Sequence, residues 1–231
     1  MEQKRYGKAE WISHTNEDRM RLFTEEKPGL PKAALNVLPN YPPFSWYHLK
    51  KNPVLDEGQT KVVYVGALSM HTMYTREFAA WIVEQQGRYT WDIFSDNCSQ
   101  EVKDFLKALN CRFISLNPAV AYHQLPALLR QYSVGVVLYN GHIPNYVYNV
   151  PNKVLEYYAC GLEVWCSHDL ASTVDFKKRH QLDSIRIIDF TTEKKGDVES
   201  NSKTDDKKTG SYRKIFSSED VYSKLMERMI A

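Results

Sequence analysis

The amino-acid sequence predicts an α/β protein built on a Rossmann-like, doubly wound parallel sheet. Three observations support this class. Six short apolar segments recur between positions 61 and 189, helical patterns separate them, and the segment at 133–139 is apolar almost throughout. A strand covered on both faces has that composition. Strands that alternate with helices form parallel sheets with right-handed crossovers, which place helices on both faces.

The six predicted strands are KVVYVGAL, WDIFSD, CRFISL, SVGVVLY, LEVWCS and SIRIID, at 61–68, 91–96, 111–116, 133–139, 162–167 and 184–189. The predicted helices between and after them lie at 75–86, 99–109, 123–131, 151–160 and 171–180. Ser99 is expected to cap the second helix, and Gly161 follows the fourth where a left-handed C-cap is expected.

Shorter elements flank this α/β unit. AEWISH and LNVLPN are predicted strands, and the TNED sequence at 15–18 has a capping-box pattern that opens a helix toward Thr24. YPPFSW is a proline-stiffened connection. Residues 191–214 are almost wholly polar, which predicts a mobile loop, and 218–230 form a last helix. The predicted divisions are 1–52, an N-terminal unit with a linker; 53–190, the α/β domain; 191–214, the polar loop; and 215–231, the C-terminal helix.

The bulk composition excludes several function classes. The 231 residues are 43% hydrophobic with a formal charge of +2, and no basic block alternates with aromatics, so no nucleic-acid partner is expected. The four cysteines form no C-x-x-C pair and have no histidines at zinc spacing, so no metal site is predicted. Cys111, Cys160 and Cys166 lie in or beside apolar runs, which predicts buried thiols in a reducing compartment. Because the sequence shows neither a membrane span nor the apolar core of a signal peptide, it indicates a cytoplasmic protein.

Ligands of open parallel sheets bind beyond the carboxyl ends of the strands. Gly66 and Ala67 follow the first predicted strand, and a glycine there lets the backbone approach a phosphate. One glycine after a strand is more often only a turn. The sequence around it is not the G-x-G-x-x-G fingerprint, which argues against a nicotinamide-dependent dehydrogenase.

A stronger candidate lies between the predicted strand at 133–139 and the helix that begins at Pro151. The loop NGHIPNYVYNV is longer than a connection requires, and it contains His142 and Asn145. The amides of Asn152 and Lys153 would point out of the helix N-terminus, which is an anion site. Since the helix dipole disfavours a cation in the first turn, a bound anion would explain the lysine.

Glu156 follows on nearly the same face of that helix, and Asn149 or Val150 is expected in its cap region. A carboxylate can accept hydrogen bonds from two vicinal hydroxyls, as on a ribose, so phosphate and ribose contacts would lie one turn apart. The competing interpretation is a surface pair of Lys153 with Glu156, worth about a few tenths of a kcal/mol. Spacing alone does not separate these two interpretations.

Three segments follow one another as they do in one enzyme family: VVYVGAL, LPALLRQYSVGVVLY and PNKVLEYYACGLEVWCS. The region at about 61–168 resembles the donor-binding domain of retaining GT-B glycosyltransferases, the large family-four group and its relatives. PNKVLEYYACG is the most specific part. The stretch 10–43 resembles the end of that family's N-terminal, acceptor-binding lobe and its linker. The resemblance implies one complete lobe of a GT-B fold with the tail of the other.

The resemblance also implies a nucleotide-sugar site. In the family, a glutamate on the second turn of this helix binds the ribose hydroxyls, and that position is Glu156 here. The preceding loop and the helix N-terminus approach the sugar and the diphosphate. The implied donor-binding residues are Gly66, Ala67, His142, Asn145, Tyr148, Asn152, Lys153 and Glu156.

Three positions depart from the family pattern. A second glutamate is usual eight positions earlier, where this chain has Tyr148. An arginine often follows the first-strand glycine, where this chain has Ala67, and the nearest bases are His71 and Arg76. Lys153 is therefore expected to carry more of the phosphate binding. Glu163 stands where the family often has proline.

The predicted activity is transfer of a sugar, as by a hexosyltransferase, from a UDP- or GDP-sugar to a saccharide or lipid-linked acceptor in polysaccharide biosynthesis. The resemblance implies retention of the anomeric configuration, no metal and no other cofactor; no catalytic residue is assigned. Peripheral contact with the inner face of a membrane would suit a lipid-linked acceptor. Two alternatives stay open. One is a non-catalytic nucleotide-sugar-binding lobe or subunit that needs a separate acceptor domain. The other is a nucleotide-sugar epimerase, which needs cleft carboxylates and a histidine that one lobe does not supply.

Overall fold

The computed structural model of the chain describes residues 6–48, 58–192 and 214–230. Eight strands form two sheets in this part: β1 (Ile12–His14), β2 (Leu35–Val37), β3 (Thr60–Val65), β4 (Tyr89–Phe94), β5 (Ile114–Asn117), β6 (Val134–Val137), β7 (Glu163–Ser167) and β8 (Ile185–Ile188). The larger sheet is wholly parallel, in the order β5–β4–β3–β6–β7–β8. The order reverses between β3 and β6, and the crevice at such a switch point is where ligands bind. The predicted doubly wound α/β class is confirmed.

The helices are α1 (Glu17–Glu26), α2 (Thr75–Glu84), α3 (Gln100–Leu109), α4 (Leu125–Leu129), α5 (Pro144–Val147), α6 (Asn152–Ala159), α7 (Ala171–His180) and α8 (Ser218–Ile230), with short 3-10 turns at Lys32–Ala34, Phe44–His48 and Tyr122–Gln124. Two apolar cores lie on opposite faces of the sheet. One packs α4, α6 and α7, and the other packs α2 and α3. Side chains of a strand alternate between faces, so β3 contributes Val63 to the first core and Tyr64 to the second.

Helix α6 packs closely on β6, and a glycine makes this possible. All four residues of β6 are buried, as its unbroken hydrophobicity predicts. A Cβ atom added to Gly135 would lie 2.2 Å from the ring of Tyr157 on α6. This close approach fixes α6 at the switch point of the sheet.

The predicted caps at Ser99 and Gly161 are confirmed, and the N-cap predicted for α1 is wrong. The Ser99 side chain accepts from the Val102 amide to cap α3, and Gly161 adopts φ +87° after α6. The TNED segment, however, caps α1 with Asn16, whose side chain accepts from the Arg19 amide at 2.8 Å. Thr15 therefore lies one residue before the cap. The extended backbone of Asn16 (φ −155°, ψ 170°) puts its own side chain, and not that of Thr15, within reach of the amide three residues on.

Several predicted boundaries shift. The strand predicted at 111–116 begins at Ile114, because a turn in which the Ile114 amide bonds to the Cys111 carbonyl precedes it. That turn leaves Cys111 only partly buried, whereas Cys160 and Cys166 are buried as predicted. The helix predicted at 123–131 is a 3-10 turn followed by α4, and α1 continues past Thr24. A 3-10 turn also lies within YPPFSW.

Other predictions fall on residues outside the described ranges. Most of the polar loop predicted at 191–214 lies there, as does the proposed boundary near position 52, so these divisions of the chain stay predictions. Within the described ranges, no helix has both the length and the apolar character that a membrane crossing requires.

Candidate functional site

The turn after β3 accepts only glycine at its first position. Gly66 has φ +120°, which L-residues with a side chain rarely adopt, and its amide donates to the Phe94 carbonyl at 3.0 Å. A Cβ atom built there would lie 3.1 Å from the Lys153 Nζ atom. The group that lies close to Gly66 is the lysine of α6, and the predicted approach of this backbone to a phosphate stays a prediction.

Lys153 extends from the first turn of α6 to the carboxyl ends of β3 and β6. Its Nζ atom lies 3.0 Å from the hydroxyl of Tyr64 and 3.1 Å from the hydroxyl of Tyr139. The ammonium also lies 4.4 Å from the Tyr64 ring centroid, within cation–π range. Burial lowers the pKa of Lys153 to about 8, and the charge of Glu156 opposes that shift.

The Lys153 ammonium has no acidic partner among the described residues. Within those ranges no carboxylate oxygen lies within 4.0 Å of Nζ. An ammonium has three N–H donors, and the two phenols accept two of them. One donor and the positive charge are therefore available to a ligand.

Glu156 is held apart from Lys153. The two side chains form no ion pair within 4.0 Å, so the surface-pair interpretation of their spacing is not what the structure shows. Burial raises the pKa of Glu156 to about 6, while the nearby Lys153 acts in the opposite direction. No described residue donates a hydrogen bond to this carboxylate. It can accept from a ligand.

An aromatic pair lies on the Glu156 side of the site. Burial and the charge of Glu156 raise the pKa of Tyr122 to about 12, which places this phenol within the field of the carboxylate. The Tyr122 residue is nevertheless 53% exposed. Its ring centroid lies 5.1 Å from that of the buried Trp46, whose 3-10 turn contacts α6. Trp46 thus supports a ring whose outer surface is open.

The N-terminus of α6 has no side-chain cap. Pro151 is its N-cap and Asn152 its first residue, so the prediction of proline at the first helical position is wrong by one residue. Neither Asn149 nor Val150 caps the helix: the Asn149 carbonyl accepts from the Thr173 hydroxyl at 3.0 Å. A proline side chain cannot accept a hydrogen bond, and the Pro151 carbonyl accepts from the Val154 amide at 2.9 Å. The amides of Asn152 and Lys153 therefore keep no acceptor among the described residues.

Two loops join to form the wall of the crevice between β3 and β6. The Tyr74 amide donates to the Leu138 carbonyl at 2.8 Å, and the His71 carbonyl accepts from the Asn140 side chain at 3.1 Å. His142 Nδ1 lies 3.0 Å from that same carbonyl. The predicted residue His142 therefore holds the two loops together, and its exposed ring borders the crevice.

The remaining predicted residues are placed unequally. The Ala67 carbonyl accepts from the Tyr64 hydroxyl at 2.5 Å, which joins Ala67 to the lysine cluster. Asn145 lies exposed on α5. Tyr148 ends α5, and its carbonyl accepts from the Asn16 side chain at 3.1 Å. The structure brings Gly66, Ala67 and Lys153 into contact and sets Asn145 and Tyr148 at the edge.

Sequence reasoning missed the tyrosines that hold the lysine. Tyr64 and Tyr139 belong to apolar strand segments, where tyrosine is an ordinary strand former. Tyr146 extends the wall by stacking on Tyr139 with ring centroids 4.2 Å apart. The sequence does carry one signal. A tyrosine in a buried strand needs a partner for its hydroxyl, and the predicted strands at 61–68 and 133–139 each contain a tyrosine.

Glu163, which replaces the usual proline, has a structural explanation. Its carboxylate accepts from the Trp165 indole at 2.5 Å and pairs with the Arg186 guanidinium at 2.8 Å. Because Glu163 begins β7, it lies at the amino edge of the sheet, opposite the lysine cluster. This departure does not alter the candidate site.

Comparison with solved structures identifies the fold. HepE from Anabaena, solved with UDP and glucose, matches with a TM-score of 0.63 and 14% identity over 96% of this chain and 63% of its own. WaaG, a glycosyltransferase involved in lipopolysaccharide biosynthesis, matches with a TM-score of 0.56 and 9% identity over 95% of this chain and 53% of its own. Sucrose-phosphate synthase from Thermosynechococcus elongatus matches with a TM-score of 0.54 and 13% identity over 83% and 48%.

These likenesses show that the chain has the fold of a GT-B glycosyltransferase, with the six-stranded sheet as its Rossmann-like lobe. The chain spans between 48% and 63% of the length of these structures. No protein-family model matches the sequence, and no curated protein does.

Proposed function

We propose that this chain is the donor-binding lobe of a glycosyltransferase and that it binds a nucleoside diphosphate sugar between β3 and β6. One observation carries the proposal. The partly buried ammonium of Lys153 lies at the switch point of the sheet with two phenol partners, and no carboxylate of the described residues lies within 4.0 Å of it. Such a group favours an anion that completes its coordination.

The diphosphate would lie against Lys153 and the open amides at the start of α6. These amides point along the positive end of the helix dipole. As the sugar leaves, negative charge develops on the diphosphate, and donors fixed in advance stabilise that charge. The bond from the anomeric carbon to the β-phosphate oxygen would break, a bond from that carbon to the acceptor oxygen would form, and the proton of the acceptor hydroxyl would pass to the departing diphosphate.

The nucleoside would lie toward Glu156. Its carboxylate receives no hydrogen bond from a described residue and would accept from both ribose hydroxyls. Tyr122, which lies in the field of that carboxylate and exposes one face, would then contact the base. UDP is the first ligand to test, because HepE, which shares the fold, was solved with UDP.

The finer features of the reaction are part of the same proposal. Transfer would retain the anomeric configuration, as the resemblance to the family implies. It would need no metal, because Lys153 and the helix amides would neutralise the leaving group. Addition of EDTA should then leave transfer unchanged. A saccharide or lipid-linked saccharide would be the acceptor, which fits polysaccharide biosynthesis.

A second lobe is needed to hold that acceptor. In the described part of the chain, strands β1 and β2 form a parallel sheet of two strands, three residues each. Parallel sheets are normally larger and covered on both faces. We infer that β1 and β2 continue the sheet of an acceptor lobe, supplied by the same polypeptide or by a partner.

Calorimetric titration of the chain with UDP, GDP and inorganic pyrophosphate tests the proposal. We expect a nucleoside diphosphate to bind, and Glu156→Ala to weaken that binding by about 1–3 kcal/mol, the range of charged hydrogen bonds. Glu84→Ala, at an exposed position on α2, is the matched control and should bind as the wild type does. Absence of binding by the wild type, or equal affinities in all three proteins, contradicts the assignment.

The second candidate function is a nucleotide-sugar-binding lobe without catalysis of its own. Tyr148, which occupies the position of the expected second glutamate, favours it, because a phenol does not supply the carboxylate that the family has there. Measuring donor hydrolysis and sugar transfer by the chain alone, and then with an acceptor lobe present, separates the two functions.

A further inference from the structure

Three chain segments meet next to the N-terminus of α6. Side-chain hydrogen bonds join the N-terminus of α1, the residues that lead into α6, and helix α7. The Ser172 hydroxyl donates to the Asp18 carboxylate at 2.5 Å, and Arg179 pairs with Glu17 at 3.1 Å. These contacts attach the N-terminal unit, defined as β1, α1 and β2, to the lobe that carries the candidate site.

Asn16 makes two bonds at this junction with the two ends of its amide. Its Oδ1 atom accepts from the Arg19 amide and caps α1, while its Nδ2 atom donates to the Tyr148 carbonyl at 3.1 Å. Serine and aspartate cap helices as well as asparagine does, but an ionised aspartate has no donor. Only the second bond reaches the donor lobe.

The bond from Asn16 acts on the residues that position α6. The next residue after Tyr148 is Asn149, whose carbonyl accepts from the Thr173 hydroxyl of α7. Two consecutive carbonyls just before the N-terminus of α6 therefore accept hydrogen bonds, one from the N-terminal unit and one from α7. The direction of the first-turn amides and of Lys153 depends on how this segment is held.

The contact between the N-terminal unit and the lobe is not continuously packed. A cavity of about 360 Å³ lies between them, lined by Asn16, Tyr41, Val150, Leu155 and Phe176 among others. Val150 precedes α6 and Leu155 belongs to it. Polar bonds that span a cavity permit a small displacement that close packing would resist.

We propose that Asn16 is a positioning residue that couples the N-terminal unit to the donor helix. Displacement of that unit, for instance by a second lobe that extends the β1–β2 sheet, then changes the affinity of the donor site. By linkage, binding of the donor shifts the equilibrium between positions of the unit, and the coupling free energy is the same in both directions. The inference rests on the proposed function, because it names the regulation of that site.

Asn16→Asp is the decisive variant, since it keeps the α1 cap and removes the donor to Tyr148. We expect its Kd for UDP to rise roughly three- to tenfold, the effect of one hydrogen bond, with Tm unchanged. Asn36→Asp makes the same chemical change in β2, where the side chain donates to the Ala34 carbonyl, and should leave the Kd unchanged. Hydrogen exchange of the backbone amides at 145–150 and 152 should be faster in Asn16→Asp only.

Each outcome decides between the proposals. Binding of UDP by the wild type with an equal Kd in Asn16→Asp overturns the coupling and leaves the proposed function intact. A lower Tm with an unchanged Kd also overturns it, because it shows a capping role alone. No UDP binding by the wild type contradicts the proposed function itself. Should Asn16→Asp not fold, Asn16→Ser, which also keeps a cap, must show the same rise in Kd.

Discussion

Two combinations of a cation with a carboxylate lie at opposite edges of the same sheet, and only one of them forms an ion pair. At the amino edge, Glu163 and Arg186 pair at 2.8 Å, and the indole of Trp165 donates to the same carboxylate. At the carboxyl edge, Lys153 and Glu156 lie further than 4.0 Å apart, and burial shifts the pKa of each toward its neutral form. The first combination is complete within the protein, and the second leaves both charged groups open to a ligand.

The incomplete combination is unfavourable for folding. Lowering the pKa of a lysine from 10.5 to about 8 reduces the stability of the folded chain by about 3 kcal/mol at neutral pH. A structural pair gives no reason to keep such a group. Perturbed titratable groups in a crevice are typical of functional sites, and Lys153 and Glu156 meet that description.

Replacing the lysine should have the largest effect. Lys153→Met removes the charged donor and keeps the length of the side chain, so we expect the Kd for UDP to rise roughly 10- to 100-fold. Tm should stay the same or rise, because a buried cation is lost. Calorimetry with UDP and a thermal melt measure the two quantities.

The contrasting variant is Arg186→Met. It leaves Glu163 without its ion pair, so it should reduce the free energy of unfolding by up to about 1 kcal/mol and leave UDP affinity unchanged. Equal losses of UDP affinity in the two variants would show that the two edges do not differ in the way described.

The pH dependence of UDP binding should be bell-shaped. The lysine binds the diphosphate when it is protonated, so affinity falls above its pKa of about 8. The glutamate accepts from the ribose when it is ionised, so affinity also falls below its pKa of about 6. Calorimetry from pH 5 to pH 9 measures this profile, and Lys153→Met should lose only the alkaline limb. An alkaline limb that persists in this variant would assign it to another group.

The smallest effect is expected at the nucleoside end. Tyr122→Ala removes a ring that would stack on one face of the base, which raises the Kd for UDP about fivefold, the lower limit for such contacts. Its affinity for pyrophosphate should not change. Tyr222→Ala, which removes a tyrosine of similar exposure from α8, is the control. A matching change in pyrophosphate affinity would place Tyr122 at the phosphates.

The sequence predicts the fold well because the spacing of apolar residues within each short segment shows which of its faces is buried. It predicts Gly66 and Lys153 separately, each from its own element, but not that the lysine passes beneath the glycine. Tyr64 and Tyr139 could not be predicted, since their role depends on the Nζ atom of a distant helix. The contact between Asn16 and Tyr148 joins residues 132 positions apart, and no local pattern encodes it.

Helix ends show the same limit on a smaller scale. Proline is common at the first helical position, and the prediction for Pro151 followed that preference. In the structure Pro151 has ψ 141° and lies outside the helix. With Pro151 as the N-cap, no side chain caps α6, and the amides of Asn152 and Lys153 stay open.

A crystal structure of the chain with UDP tests the central claim most directly. We predict that an oxygen of the diphosphate lies about 3 Å from the Lys153 Nζ atom, and that the ribose hydroxyls contact the Glu156 carboxylate. UDP bound elsewhere, with the Lys153 ammonium bonded only to Tyr64 and Tyr139, would contradict the claim.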